Sequence, residues 1–378
     1  MQSDYKKRVF GLDLMRAIAI LLVVFSHLLW IAPETTGLIK DLMSLAGVMG
    51  VEIFFVLSGF LIGRIIYKLF LSEHFSKRKL LYFWARRWFR TLPNYYLVLI
   101  LNIILCTYLG RELPKELWQY FFFIQNFDWE MPWFFPESWS LSIEEFAYIL
   151  GPLILYCSLL FFNIKNKSRL FLLVTFGIIS LFLMTKVEYN SQTEESDIIF
   201  WNTHLKAVVM YRLDAIYYGV LAAYFSLVFE KKWLKLRVLF LYLGIIIFLG
   251  INYLIPNAQL LIQQHPFFWN VLYLPINSVA IAFCLPWLSS WKRAPKIVLV
   301  PVTLISLVSY AMYLLHYSVI MQLMKYYLPS EGLPKFDLII YILVYLAITV
   351  LSSYLLYKLF EKPMMNLRDK KWIVNRFN

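Results

Sequence analysis

The chain has 378 residues, of which 61% are hydrophobic, 19% aromatic and 16% charged; an ordinary soluble domain is about 45–50% apolar and about 25% charged. This composition excludes a disordered chain, a disulfide framework and an ordinary globular domain, and it predicts an all-α, polytopic membrane protein. The formal net charge of +13 is divided among short basic clusters between apolar stretches. That distribution argues against nucleic-acid binding and is typical of the positive-inside pattern.

Ten stretches of about 20 apolar residues are long enough to cross a bilayer. They are residues 10–31, 48–70, 93–110, 139–162, 169–185, 205–229, 237–255, 267–289, 299–323 and 338–360. Basic clusters lie on every second side, from Lys6-Lys7-Arg8 to the tail ending near Arg376. The other loops are neutral or acidic, as at Glu194 and Glu195. We therefore expect one transmembrane domain over residues 1–378 with both termini in the cytoplasm. Prolines interrupt the eighth and ninth spans.

The first span carries three ionisable residues, Asp13, Arg16 and His27. At about 100° per residue all three fall within about 60° of one helix face, and Arg16 and His27 are about 16 Å apart along the axis. Because a charge inside a bilayer is costly, each such residue is a candidate for function. The alternative is that Asp13 and Arg16 merely pair and that His27 is a satisfied core histidine.

Two segments between spans have unusual compositions. Residues 72–92 alternate basic and aromatic residues at helical spacing, which predicts a helix lying in the membrane interface. Eleven of the thirty residues in 111–140 are aromatic, which is typical of an aromatic belt at the headgroup level. The alternative function of that segment is a stacking floor for a sugar or a lipid-linked sugar. The three cysteines show no metal-ligand spacing, so no metal site is predicted.

Sorting the intramembrane polar residues by depth predicts two poles. Groups able to move protons join His27 in the outer half, whereas guanidinium groups lie in or under the inner half. A histidine is the usual base for a hydroxyl, and arginine forks suit phosphates. This polarity predicts an enzyme with a phosphorylated donor on the cytoplasmic side. The outer set is Glu52, Glu144, Arg212, Asp214 and His316, and the inner set is Arg64, Arg86, Arg87 and Arg90.

Seven motifs in order along the chain resemble those of the acyltransferase-3 family of membrane acyltransferases, which includes bacterial O-acetyltransferases of surface sugars. They are Leu12–Ala17 with His27, Gly50–Phe60, Arg86–Pro93, Trp139–Glu144, Tyr211–Ala215, Ser309–His316 and Phe360–Pro363. The chain departs from the family after Glu144, where Phe146 and Ala147 replace a glutamine and an aromatic residue. We expect no C-terminal esterase-like domain of the kind that many relatives carry, so transfer would be completed by the membrane domain or by a separate periplasmic or extracellular protein.

The resemblance implies acetyl-CoA as donor substrate, with no permanently bound cofactor, and a hydroxyl of a cell-surface or lipid-linked glycan as acceptor. It places the chain in the inner (plasma) membrane of a bacterium, among membrane lipids. His27 would be the base or the acyl carrier, Glu144 would orient His27 or the acceptor, and Asp13 is grouped with them. Phosphates would bind Arg16, Arg86, Arg87 and Arg90. Supporting or acceptor-side candidates are Glu52, Ser58, Trp139, Ser140, Tyr148, Arg212, Asp214, Tyr310 and His316.

Several alternatives stay open. The arginines at 86, 87 and 90 could be positive-inside anchors, Arg212 and Asp214 could form a structural ion pair, and Ser58 could serve helix packing. Either Tyr148 or Arg16 could stabilise an oxyanion. As a whole, the chain could instead be a flippase or transporter of lipid-linked sugars, although such proteins often show repeated halves and none is found here. The acyl group could also be another one, such as succinyl.

Overall fold

The computed structural model describes residues 8–73, 75–131, 133–193 and 197–370, and throughout these ranges the regular structure is helical. The predicted residues Lys6, Lys7, Glu194, Glu195 and Arg376 lie outside them. Ten long helices are numbered here in chain order. They are α1 Phe10–His27, α2 Gly37–Leu71, α3 Lys77–Tyr108, α4 Ser138–Phe161, α5 Lys167–Gln192, α6 Leu213–Val228, α7 Arg237–Asn257, α8 Leu274–Ser290, α9 Lys296–Leu315 and α10 Lys335–Leu356.

Short helical turns extend or join these ten helices. The joining turns are Trp118–Phe121, Ile198–Trp201, Asn202–Lys206, Val209–Tyr211 and Glu230–Lys235. The extensions are Leu28–Trp30 after α1, Phe268–Tyr273 before α8, His316–Met321 and Gln322–Tyr327 after α9, and Tyr357–Glu361 and Lys362–Arg368 after α10. In the described part of the chain, nine helices are long and apolar enough to cross a membrane, and α6 is a shorter apolar helix of 16 residues. The all-α, polytopic prediction is confirmed, and each predicted span overlaps one of the ten helices.

The predicted interfacial helix over residues 72–92 is wrong as a separate element. Lys77–Tyr108 is one helix of 32 residues with Pro93 inside it. Contacts with α4 hold its first half against the bundle: the indole nitrogen of Trp84 donates to the carbonyl of Tyr148 at 3.0 Å, and that of Trp88 donates to Glu145 at 3.1 Å. The basic and aromatic residues of this segment therefore lie along a protein-packed helix that continues into the membrane span.

Two glycines allow α2 and α6 to pack closely at the centre of the bundle. A Cβ atom on Gly59 of α2 would lie 1.9 Å from the carbonyl oxygen of Ile216, and one on Gly219 of α6 would lie 2.0 Å from that of Val56. Small residues at such positions let membrane helices approach with their backbones in contact. In the most apolar stretch of α2, 61% of the residues are buried, against 11% in α7, which lies at the periphery.

Both described ends of the chain lie on the face that carries the basic residues of α3. The short helix Lys362–Arg368 contacts α3, and the charges of Arg8 and Glu361 both act on Arg90. The N-terminal end of α1 is fixed by the amide of Gly11, which donates to the carbonyl of Trp291 at 2.9 Å. This arrangement matches the predicted placement of both termini on one side of the membrane.

The aromatic segment between α3 and α4 contributes to the core as well as to the surface. Tyr120, Phe123 and Phe135 are buried in the main hydrophobic core, whereas Trp118 and Trp133 are exposed. The backbone of the segment is paired with the turn before α6. The exposed rings are compatible with both predictions, an aromatic belt at the headgroup level and a stacking surface for a sugar. The buried rings pack in the core and can serve neither.

Candidate active site

A pair of histidines occupies the end of α1 and the turn that follows α9. His27 is the last residue of α1, and His316 opens the π-helical turn His316–Met321. The Nε2 atom of His316 lies 3.0 Å from Nδ1 of His27, and the ring centroids are 4.8 Å apart. His316 is fully buried, whereas His27 is half-buried and also contacts the ring of Tyr317. We call these two residues the histidine pair.

The hydrogen bonds of the pair determine which nitrogen of each neutral ring carries the proton. Nδ1 of His316 lies 3.0 Å and 2.9 Å from the carbonyl oxygens of Met312 and Tyr313, which only accept, so this nitrogen is the donor. Nε2 of His316 is then an acceptor, and Nδ1 of His27 donates, to it and to the carbonyl of Val23 at 2.9 Å. The lone pair of neutral His27 is therefore on Nε2, which has no hydrogen-bond partner among the described residues. A nitrogen in this state can act as a general base.

A lysine and two hydroxyl groups lie on the same side of the bundle as the histidine pair. The ammonium of Lys206 is 5.3 Å from the ring centroid of Trp139, and its charge acts on His27. Burial lowers the pKa of Lys206 to about 8, with the nearby charge of Arg212 as a further cause. The hydroxyls of Ser140 and Tyr313 are hydrogen-bonded at 2.7 Å. These groups add a buried cation and two hydroxyl groups to the same end of the bundle as the histidine pair.

Four arginines at the other end of α1 form what we call the arginine cluster: Arg8, Arg16, Arg87 and Arg90. The charges of the other three members all act on Arg16. Asp13 accepts from Arg8 Nε at 2.8 Å and from Ser306 at 2.9 Å, and it lies 3.5 Å from Arg16. Asp13 is shared by Arg8 and Arg16, Glu144 is paired with Arg87, and the charge of Glu361 acts on Arg90. Four guanidinium groups with these three carboxylates still offer several N–H donors that suit an anion.

Arg87 is held in place by three groups from two helices. It donates to Oε2 of Glu144 at 2.8 Å and to the hydroxyl of Tyr148 at 3.0 Å, and its guanidinium lies 4.2 Å from the Tyr148 ring centroid. Ser58 donates to the other oxygen of Glu144 at 2.9 Å. The Nε atom of Arg87 is buried without a hydrogen-bond partner in the described part of the structure. This donor is available to a ligand that enters the cluster.

Two fully buried ion pairs lie between the central helices. Arg212 is hydrogen-bonded to Glu52, whose second oxygen accepts from Ser278 at 2.9 Å. Asp214, in the first turn of α6, is paired with Lys186 of α5. Each of these charges is paired across two helices, as buried charges must be to avoid a large desolvation penalty.

A sequence model described as an acyltransferase domain matches residues 9–358 of the chain, which is most of its length. The chain belongs to the acyltransferase-3 family. Among similar proteins, O-acetyltransferase OatA of Staphylococcus aureus is 25% identical over 96% of this chain and 58% of its own length. Peptidoglycan O-acetyltransferase OatA of Listeria monocytogenes is 29% identical over 53% of this chain and 32% of its own length. The match thus spans a little more than half of the Staphylococcus aureus relative and about a third of the Listeria monocytogenes one. No solved structure matches it.

Within this family member, the predicted site residues divide between the two ends of α1. His27, His316, Trp139 and Ser140 lie at one end, and Asp13, Arg16, Arg87 and Arg90 lie at the other. Arg86 is exposed and contacts Tyr82, and Tyr310 donates to the carbonyl of Thr91 at 2.9 Å. Ser58 and Tyr148 lie with Arg87, and Glu52, Arg212 and Asp214 belong to the buried pairs.

Two predicted arrangements are corrected by the structure. The grouping of Glu144 with His27, away from the arginines, is wrong because α3 extends further toward its N-terminus than predicted and brings Arg87 into the bundle beside Glu144. The proposed Arg212–Asp214 pair is also wrong, since these residues are paired with Glu52 and Lys186 instead. Residues two apart on a helix point in different directions and do not face each other.

Several site residues were not predicted from the sequence. Arg8 appeared only as part of a basic cluster, although it holds Asp13. Lys206 stands alone at the beginning of the predicted span 205–229, and an isolated lysine in such a position is a signal that could have been used. Ser306 carries no signal in an apolar helix, and Tyr313 lies inside the motif Ser309–His316 but was not named as a candidate. In the described ranges, no three His, Cys, Asp or Glu side chains are placed to hold a metal ion.

Proposed function

We propose that this protein transfers an acetyl group from cytoplasmic acetyl-CoA to a hydroxyl of a cell-surface or lipid-linked glycan. The observation that carries the proposal is the histidine pair, which leaves Nε2 of His27 unprotonated on the same helix that presents Arg16 to the other face. Relatives whose names specify O-acetyltransferase and peptidoglycan O-acetyltransferase support the acetyl group and the hydroxyl acceptor.

The donor binds through its phosphates to the arginine cluster. Guanidinium forks form strong, charge-assisted hydrogen bonds with phosphate oxygens, and the buried Nε of Arg87 is a donor without a present partner. Glu144 and Tyr148 fix the orientation of Arg87, so in this proposal Glu144 positions a donor-binding arginine. The thioester arm then extends along α1 toward His27, over the roughly 16 Å that separate Arg16 from His27.

The reaction requires one base and stabilisation of one oxyanion. Nε2 of His27 removes the proton of the acceptor hydroxyl as the oxygen attacks the thioester carbonyl carbon. The tetrahedral intermediate collapses, the carbon–sulfur bond breaks, and the imidazolium returns its proton to the coenzyme thiolate. Lys206, whose charge acts on His27, is suited to oppose the negative charge on the carbonyl oxygen. An alternative order, in which His27 first accepts the acyl group and then passes it to the hydroxyl, uses the same nitrogen.

The acceptor approaches from the face that bears the exposed rings of the 111–140 segment, which can stack on sugars. Peptidoglycan, lipopolysaccharide O-antigen and exopolysaccharide are the candidate glycans, and a separate partner outside the membrane could complete delivery. The membrane in question is the bacterial inner (plasma) membrane. Another acyl group, such as succinyl, would use the same base, and the mass of the group added to the glycan distinguishes the two.

The proposal is tested by incubating membranes that contain the chain with acetyl-labelled CoA and measuring label in glycan. The wild-type chain and the control His265→Ala, which alters an exposed histidine, should transfer label, whereas His27→Ala should not, at equal amounts of inserted protein. Retained transfer by His27→Ala would contradict the mechanism. Transport of a lipid-linked sugar without dependence on acyl-CoA would contradict the function.

A further inference from the structure

A cavity of about 190 Å³ lies beside the N-terminal end of α1, between that helix and the connection from α8 to α9. Its polar lining consists of Arg8, Asp13, Lys292, Arg293 and Thr303. The connection is fixed to α1 by the Gly11–Trp291 backbone hydrogen bond and by the rings of Phe10 and Trp291, 4.8 Å apart. The cavity is therefore a formed feature of the packed bundle on the same face as the arginine cluster.

The lining of the cavity favours an anion. Three of its side chains are cationic and one is a carboxylate, Asp13, which is already paired with Arg8. Lys292 and Arg293 are exposed, and neither has an ion-pair partner among the described residues. The N-terminus of α9 adjoins the cavity and has no side-chain cap, so its partial positive charge adds to that of the basic side chains.

A buried hydroxyl provides a second, independent indication of a ligand. Thr303 is 1% exposed, and its Oγ1 atom has no hydrogen-bond partner in the described structure. Buried polar atoms are nearly always hydrogen-bonded. Because Thr303 lines the cavity, an oxygen of a bound anion would satisfy this donor.

The size and position of the cavity limit what it can hold. An engineered cavity of about 150 Å³ accommodates benzene, so this one admits a compact charged group and excludes a whole acyl-CoA molecule. Arg8 connects the cavity to the arginine cluster, because it bonds Asp13, which in turn contacts Arg16. A ligand that spans both places would therefore carry anionic groups at two separate points.

We infer that this cavity binds the 3′-phosphate on the ribose of the acyl-CoA donor, with Lys292, Arg293 and Arg8 as its cationic partners and Thr303 as a hydrogen-bond donor. The inference rests on the proposed function, and it adds a second phosphate site to the arginine cluster. The phosphate of an anionic lipid headgroup has related chemistry and is the competing source.

The test compares acetyl-CoA with 3′-dephospho-acetyl-CoA, using protein in nanodiscs of neutral phosphatidylcholine. The dissociation constant of each labelled donor is measured for wild type, the double variant Lys292→Gln/Arg293→Gln and the variant Thr303→Val. The control is Lys231→Gln, which alters an exposed lysine that does not line the cavity. Wild type and control should bind acetyl-CoA about tenfold more tightly than the dephospho form, as expected for loss of charge-assisted hydrogen bonds. The double variant should bind both donors equally, and Thr303→Val should lose part of the discrimination.

Three results would overturn the inference. In the first, the double variant discriminates between the donors as well as wild type does. In the second, wild type binds both donors equally. In the third, the variants lose only binding of anionic lipid added to the nanodiscs, which assigns the cavity to a headgroup. Failure of the proposed function looks different, because wild type would then bind neither donor and transfer no acetyl group.

Discussion

The two histidines are chemically similar but are placed for different tasks. His316 is enclosed, and both of its ring nitrogens are used within the protein, whereas His27 keeps one nitrogen free. A ring whose tautomer is set by a neighbour is ready to accept a proton at a defined atom, as when a carboxylate orients a catalytic histidine. In this interpretation His316 is a positioning residue and His27 is the catalytic one.

Replacement of His316 should therefore affect turnover more than donor binding. We expect His316→Phe to lower kcat about 10–100-fold, in the range found when a partner that orients a histidine is removed. The KM for acetyl-CoA should be unchanged because the arginine cluster is at the other end of α1. His316→Gln, which restores a hydrogen-bonding group, should recover part of kcat. If His316→Phe lowers the amount of inserted protein and the total activity equally, so that kcat per molecule is normal, then His316 has only a structural role.

Glu137 should make the stability of the protein depend on pH. Burial raises the pKa of this carboxyl from 4.5 to about 7, and its Oε1 accepts from the amide of Ser318 at 2.7 Å, in the turn that contains His316. Between these two pKa values the folded state binds more protons than the unfolded state, so stability is highest below about pH 4.5 and falls as pH rises through about 7. Thermal unfolding in detergent should show this slope for wild type and a reduced slope for Glu137→Gln. The same slope in both proteins would contradict the assignment.

At the residue scale, the sequence identified charged groups but not their partners. The motifs singled out His27, Arg16, Arg87 and Glu144, since an ionisable residue in an apolar stretch is conspicuous. Which carboxylate pairs with which cation depends on helix rotation and neighbours, and the sequence does not specify either. For that reason Arg212 was paired with Asp214 in the prediction, although its partner is on another helix.

Among the helices, α2 and α6 make the contact most sensitive to side-chain size. Substitution Gly59→Ala places a Cβ 1.9 Å from the Ile216 carbonyl oxygen, a backbone atom that cannot move without displacing α6. We expect a loss of about 1–3 kcal/mol, as for other overpacked sites, seen as a lower midpoint in a thermal-shift measurement. Gly177→Ala, on α5, is the matched control because nothing lies within 4 Å of its added Cβ. Equal midpoints for the two variants would show that this contact is not tight in solution.

The positions of the membrane-spanning helices along the chain could be predicted because the bilayer restricts which segments can cross it. A segment that crosses hydrocarbon must satisfy its own backbone hydrogen bonds, so an apolar stretch of sufficient length becomes a helix. Where the end of a helix packs on another helix and not on lipid, its length depends on that contact and not on hydropathy. Thus α3 continues through Pro93 to Lys77 because α4 covers its first half, and hydropathy alone could not show that contact.

For the molecule as a whole, the donor and the acceptor should be used from opposite faces. Since CoA does not cross membranes, acetyl-CoA added outside inverted vesicles should support transfer, and acetyl-CoA added outside right-side-out vesicles should not. Permeabilising the right-side-out vesicles should restore activity. Equal rates in the two sealed preparations would show that the arginine cluster does not face the cytoplasm.

The division of the molecule into two poles was partly accessible from the sequence. The spacing of Arg16 and His27 predicted how far apart the arginines and the histidine lie, provided that one helix carries both. The structure shows that helix, α1, from Phe10 to His27. The bundle arrangement that brings α9 to His27 and α8 to Arg8 depends on packing between distant segments. It therefore required the structure.

The two buried ion pairs, Glu52–Arg212 and Lys186–Asp214, also affect the order in which the protein can assemble in the membrane. Glu52 leaves the ribosome on α2 long before Arg212, and Lys186 precedes Asp214. Until its partner is made, each of these two charges would cost about 2.5–3.5 kcal/mol inside the membrane. Both partners, Arg212 and Asp214, lie at the start of α6, so the cost is removed only when α6 is inserted. Chains that end before α6 would keep two unpaired charges, Glu52 and Lys186. We therefore expect such truncated chains to be recognised by cellular quality control, and chains that include α6 to escape it.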